Sequence, residues 1–149
     1  LAAFLPVYAG IVPPGRAEKM CRRYLLNPAH FNTPMPFCTL DRAHPAFRSG
    51  GFLQTVPHYP GALVPQAYWI GRVWPNVNIW MLGALWRAGL KREADETAER
   101  MLDCMNRHET TNETYDPLTG APIGHPECTH GGSSALAYLF GLYRHGPVE

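Results

Sequence analysis

The sequence is short of charge, and it has no charge run of one sign. Only 17% of its 149 residues are Asp, Glu, Lys or Arg, and the formal charge is +1. A basic stripe for nucleic acid or a polybasic patch for an acidic bilayer is missing, so neither is expected as a partner. The longest strongly apolar stretch, Val73 to Leu85, is interrupted by Pro75, Asn76 and Asn78 and does not read as a membrane span. No CxxC pair occurs. Cys21, Cys38, Cys104 and Cys128 lie far apart, which fits free buried thiols better than a disulfide framework or a thiolate cage. The sequence also lacks a G-x-S-x-G elbow, a glycine-rich phosphate loop after a strand and a dinucleotide fingerprint. Serine-hydrolase and nucleotide chemistry are thereby set aside, and no cofactor is expected. The chain begins at Leu1 rather than Met and carries no leader-like stretch. The compartment stays open, with the cytoplasm the favoured expectation.

What the chain has in quantity is proline (15), glycine (14) and tryptophan (4). Long ordered loops and aromatic surfaces follow from that mixture, and the length is that of one ordinary domain with a real core. Five helical stretches can be read. Leu1 to Ala9 is apolar. Arg16 to Leu26 carries Ala17, Met20, Cys21 and Tyr24 on one face and stops before Pro28. Trp74 to Ala88 has Pro75 in its first turn, where a missing N–H costs nothing, and is apolar all the way round, so it should be buried on every side. Lys91 to His108 has one apolar stripe, Ala94, Ala98, Met101, Leu102 and Met105, with Arg92/Glu96 and Glu96/Arg100 spaced for i,i+4 pairing. Ser133 to Tyr143 starts at a serine cap. Strands are at most short.

The connections carry the functional signal. The first and second helices, and the third and fourth, are joined by short turns and should be antiparallel neighbours. The other connections are long, Asn27 to Val73 and Glu109 to Gly132. A helix of about fifteen residues rises some 22 Å, so following the chain down one helix and up the next puts both loops at one end, with the start of the third helix. Long loops in a compact chain are usually functional.

Two segments meet at that end. YWIGRVWPNVNIW (Tyr68 to Trp80) holds Trp69, Arg72, Trp74, Asn76 and Asn78. Flat indoles stack on the apolar faces of sugar rings, while Arg and Asn supply fixed partners for hydroxyl groups. The plainer alternative makes Trp74 and Trp80 core residues, Pro75 and Asn76 helix-start chemistry, and Arg72 the partner of a carboxylate. NETYDPLTG (Asn112 to Gly120) places Glu113 and Tyr115 just before a turn in which Asp116 caps and Gly120 takes the left-handed position. A lone loop glutamate is most often a solvated charge, but the rigid turn and the aromatic neighbourhood raise Glu113 above that. HPECTH (His125 to His130) offers zinc-type ligands without a second pair at ligand spacing. No metal is expected, and Cys128 and His130 read as packing at the next helix start.

The order LPVYAGI, LLNPAHF, TPMPFCTLDRAHPAF, YWIGRVWPNVN and ETYDPLTG resembles the C-terminal part of six-hairpin glycosidases. The family it looks most like is glycoside hydrolase family 63, with its processing α-glucosidases and bacterial mannosylglycerate and glucosylglycerate hydrolases; trehalases share the pattern more distantly. Y-W-x-G-x-V-W-P and E-x-Y-[DN]-P-x-x-G, in that order and separation, carry the resemblance over nearly the whole chain. It implies an all-α fold, part of an (α/α)6 barrel, and an inverting α-glycosidase. Glu113 would be the general base, and the substrate-binding set would comprise Trp69, Arg72, Trp74, Asn76, Asn78 and Tyr115. Carbohydrate is then the expected substrate. Family members commonly carry Arg where this chain has Ile70, and an aromatic residue where it has His130-Gly131-Gly132. Their general acid is an aspartate on the upstream half of the barrel, for which this chain has no matching segment. Residues 1–149 are therefore expected to be the C-terminal portion of one catalytic domain, partnered by the remainder of the barrel and silent alone. A non-catalytic sugar-binding or barrel-completing piece, and a helical metal protein using His125, Cys128 and His130, are the competing readings.

Overall fold

The computed structural model describes residues 1–49, 53–55, 63–65, 69–108 and 112–123. The helix expected over Ser133 to Tyr143 and the HPECTH segment lie outside them. Among the described residues the architecture is helical, with two small hairpins. A 3-10 turn, Ala2–Phe4, runs into the short helix α1, Leu5–Tyr8, and α2 covers Pro14–Met20. A π-helical stretch, Cys21–Leu25, continues α2, so the expected second helix is present with its last turns widened. The backbone of β1 (Leu53–Thr55) pairs antiparallel with β2 (Leu63–Pro65). Then come α3, Pro75–Arg87, and α4, Lys91–Met105, followed by the antiparallel pair β3 (Thr114–Tyr115) and β4 (Pro122–Ile123).

The stops are written in the sequence. α1 ends at Gly10 (φ 75°), where the Ile11 N–H reaches back to Pro6 O at 3.0 Å and the Gly10 N–H to Val7 O at 3.0 Å. α3 ends the same way at Gly89 (φ 80°), with Leu90 N–H bonded to Leu85 O (2.9 Å) and Gly89 N–H to Trp86 O (3.0 Å). Both are Schellman closures, which satisfy terminal carbonyls through a left-handed glycine. After the π-helical stretch, Asn27 accepts the Ala29 N–H at 2.9 Å, a local turn that a helix before Pro28 favours.

The core gathers around α3. Met81, Leu82, Ala84 and Leu85 of α3 pack with Ala94, Ala98, Met101 and Met105 of α4 and with Phe4, Val7, Leu25 and Phe37. As expected from the Gly89-Leu90 link, α3 and α4 are neighbours, but α1 packs principally on α3 rather than on α2. The reason is local: α1 is only four residues long, and Gly83 of α3 opens a site where the Tyr8 ring lies so close that an added Cβ would come within 2.7 Å of it. The α4 stripe matches its periodicity, with Thr97 and Cys104 joining it on the buried side. Arg92 and Glu96 do pair, at 3.8 Å, whereas Arg100 turns to Asn32 in the long loop. On α3 burial is incomplete, because Trp80 (44% exposed) and Trp86 (40%) stand open. Cys21, Cys38 and Cys104 are free and buried.

Candidate functional site

Three loop segments that are distant in sequence are tied edge to edge at the start of α3. Val73 is bridged antiparallel to Cys38 on one side and to Tyr115 on the other. The Val73 N–H donates to Tyr115 O at 2.9 Å, and the Tyr115 N–H to Val73 O at 3.0 Å. Glu113 lies two residues before Tyr115, at the bend that leads into β3. The expectation that both long loops converge on this helix end therefore holds for their described parts.

The alternation of a strand puts Arg72, Trp74 and Thr114 on one face of this ladder. Arg72 is 2% exposed and its Nη1 donates to Thr114 Oγ1 at 3.5 Å, while Thr114 Oγ1 donates to Ile123 O at 2.7 Å. Trp74 is 4% exposed and is the N-cap residue of α3. The Trp69 ring stacks on it with centroids 4.5 Å apart and planes 12° from parallel. Trp69 itself is 53% exposed. A buried indole thus backs an exposed one and fixes its plane, the arrangement of a stacking platform.

The turn after Glu113 is built as the sequence indicates. Asp116 Oδ1 accepts the Leu118 and Thr119 N–H groups at 2.8 and 2.9 Å, Gly120 sits at φ 73°, and its N–H donates to Asp116 O at 2.9 Å. The His108 ring bonds Gly120 O at 3.1 Å and ties the turn to the end of α4. The strap 33–39 is held between this turn and α3, with Met35 N–H on Pro117 O at 3.1 Å and Asn78 Nδ2 on Pro36 O at 2.8 Å.

The predicted residues separate accordingly. Trp69, Arg72, Trp74 and the segment carrying half-buried Glu113 come together. Asn76 is exposed on the first turn of α3 and its Oδ1 accepts its neighbour Val77 N–H at 3.0 Å, helix-start chemistry. Asn78 is fully buried and its amide anchors the strap. Tyr115 is fully buried too, and its hydroxyl accepts the Asn112 N–H at 2.9 Å. Burial pushes the Tyr115 phenol above its ordinary value, against the Asn112 N–H that pulls the other way. Asn78 Nδ2 and the Tyr115 hydroxyl thus each hold a backbone group of the site in place, whereas Asn78 Oδ1 is buried with no hydrogen-bond partner among the described residues. Burial likewise pushes the Cys38 thiol up to about 12, which makes it an inert packing group beside Val73.

Thr39 and Thr114 are the residues that sequence reasoning passed over. The signal was present in TPMPFCTLDR and ETYDP, but a threonine in a loop has no pattern that marks it as a clamp. Beside Trp69 lies an open, mainly apolar groove of about 320 Å³, lined also by Leu1, Leu5, Thr39, Val77 and Trp80. No helix among the described residues is long and apolar enough to cross a membrane.

The fold has known counterparts. The chain is similar to the family 63 mannosylglycerate hydrolase from Thermus thermophilus. In that enzyme's glucose complex the identity is 26% and the TM-score 0.67, over 95% of this chain and 28% of that one. In its Tris complex the values are 26% and 0.65, over 94% and 28%. A protein described as a sialidase shares the fold at 15% identity and TM-score 0.69, over 94% of this chain and 13% of that one. The chain thus spans about 28% of the length of the hydrolase it matches, and its helices are part of an (α/α)6 barrel. Over residues 1–131 it matches the mannosylglycerate hydrolase MGH1-like glycoside hydrolase domain, and it belongs to that family.

Proposed function

We propose that the chain is the C-terminal portion of an inverting α-glycosidase and supplies the general base and one wall of the sugar site. The observation that supports this reading is the bridge joining Tyr115 to Val73, which brings the chain two residues from Glu113 onto the segment bearing Arg72 and the stacked Trp69–Trp74 pair. Trp69 would take the apolar face of a sugar ring, with Trp74 holding its plane and Arg72 fixing the backbone around it through Thr114. Inversion needs an ionised carboxylate that activates water and a protonated one that assists the leaving group, roughly 6.5–9.5 Å apart. Glu113 takes the first role, and the remainder of the barrel provides the second. The substrate class is a small α-mannoside or α-glucoside, mannosylglycerate first, or an oligosaccharide ending in such a unit.

In the full protein, Glu113→Gln should lower kcat at least about a hundredfold, as expected for loss of a general base. Binding of glucose or mannosylglycerate, read by calorimetry, should change little. Unchanged turnover would sink the assignment. A second reading, sugar binding without catalysis, is favoured by the exposure of Trp69, which serves a binder as well as an enzyme. It predicts that Trp69→Ala abolishes sugar binding in a protein that never hydrolyses the glycoside.

A further inference from the structure

The segment that bears Trp69, Arg72 and Trp74 joins the ladder only at Val73, so something else must fix the path of residues 69–72. One side is set by Arg48. Its N–H donates to Ile70 O at 2.9 Å, and its carbonyl lies where any side chain at Gly71 would stand, 1.9 Å from an added Cβ. The other side is set by Thr39. Its N–H donates to Arg72 O at 3.1 Å, its Oγ1 donates to the same carbonyl at 2.9 Å, and the Gly71 N–H donates to Oγ1 at 3.2 Å. One hydroxyl thus holds a donor and an acceptor of two successive residues. Its own residue follows Cys38, which is bridged to Val73. Thr39 also lines the groove beside Trp69.

We infer that Thr39 is a positioning residue for the substrate wall: its hydroxyl sets the backbone at Gly71 and Arg72, and thereby the plane of Trp69 against Trp74 and the depth of Arg72. The inference rests on reading that wall as the sugar site. A serine would keep both side-chain hydrogen bonds. A valine would keep the shape, the β-branched stem and the backbone bond to Arg72, but would leave the Gly71 N–H without its hydroxyl partner.

The test is made in the full protein with Thr39→Val and Thr39→Ser. The first readout is the near-ultraviolet circular dichroism of the Trp69–Trp74 stack, identified as the difference spectrum against Trp69→Phe. The second is steady-state kinetics with mannosylglycerate. Thr39→Val should weaken the stack signal and raise KM roughly three- to tenfold with kcat within about twofold, since ground-state and transition-state binding are lost together. Thr39→Ser should restore both. A stack signal untouched by valine, or a serine variant as defective as valine, overturns the inference. A signal lost with valine and restored by serine while KM stays still upholds the clamp and overturns the sugar-site reading instead. If Thr39→Val does not accumulate as folded protein, Thr39→Ala against Thr39→Ser gives the same contrast.

Discussion

α3 and α4 are neighbours of similar length, 13 and 15 residues, joined by Ala88-Gly89-Leu90, yet their outer faces have opposite character. Every exposed residue of α4 is charged: Lys91, Arg92, Asp95, Glu96, Glu99 and Asp103. The exposed residues of α3 are Asn76, Trp80, Trp86 and Arg87. α4 presents a finished, solvated surface of the kind a one-sided stripe implies. α3 presents indoles, which soluble surfaces seldom leave in numbers. Such a contrast is what an α/α barrel expects between an outer helix and an inner one.

The two helices also differ in how they begin, and that gives the largest effect to look for. The chain enters α3 through Gly71 (φ 154°), where an added Cβ would sit 1.9 Å from Arg48 O, a backbone atom that cannot swing away. It enters α4 through Gly89 (φ 80°), where an added Cβ meets nothing within 4 Å. Gly71→Ala should therefore cost roughly 3 kcal/mol or more and displace the Arg72–Trp74 segment, whereas Gly89→Ala should cost only the left-handed strain, about 1 kcal/mol. Urea unfolding of the two variants checks the order. Equal costs would show that the Arg48 contact yields, and would remove the contrast between a rigid entry and a permissive one.

These differences were unequally legible. The α4 stripe, the proline at the start of α3, and the Asp116–Gly120 turn are local patterns, fixed by residues a few positions apart. So their place in the fold could be read from the chain alone. Glu113 and the Trp69–Trp74 segment could be brought to one end by helix lengths and loop lengths. The particular partners could not. Asn78 bonds Pro36 and Arg72 bonds Thr114, each pair separated by 42 residues, and Thr39 reaches Arg72 across 33. No periodicity encodes such contacts, because each joins segments far apart in the chain. The all-round apolar pattern of α3 overstated its burial for a related reason. Periodicity states which faces need cover, and the described residues cover only part of them.

Trp80 tests whether that cover exists. It is 44% exposed among the described residues and lines the groove with Trp69 and Leu5. If the barrel's remaining helices close over it in the full protein, Trp80→Ala should cost about 3 kcal/mol, as truncation of a buried indole does. If it is a true surface residue, the cost should fall below about 1 kcal/mol. Thermal or urea unfolding of the full protein decides between them, and the lower value would break the distinction between the two helices.

The smallest effect belongs to the outer face of α4. Arg92 and Glu96 stand 3.8 Å apart with side chains 81% and 64% exposed. Water screens such a pair, and holding two long side chains in one geometry offsets much of the attraction. Arg92→Ala should therefore shift stability by no more than about 0.5 kcal/mol, and that small shift should shrink further between low salt and about 1 M salt, where the screening length is roughly 3 Å. A substantially larger cost would mean that α4 has a partner on the face that its charges mark as solvated. The assignment of outer and inner helices would then have to be exchanged.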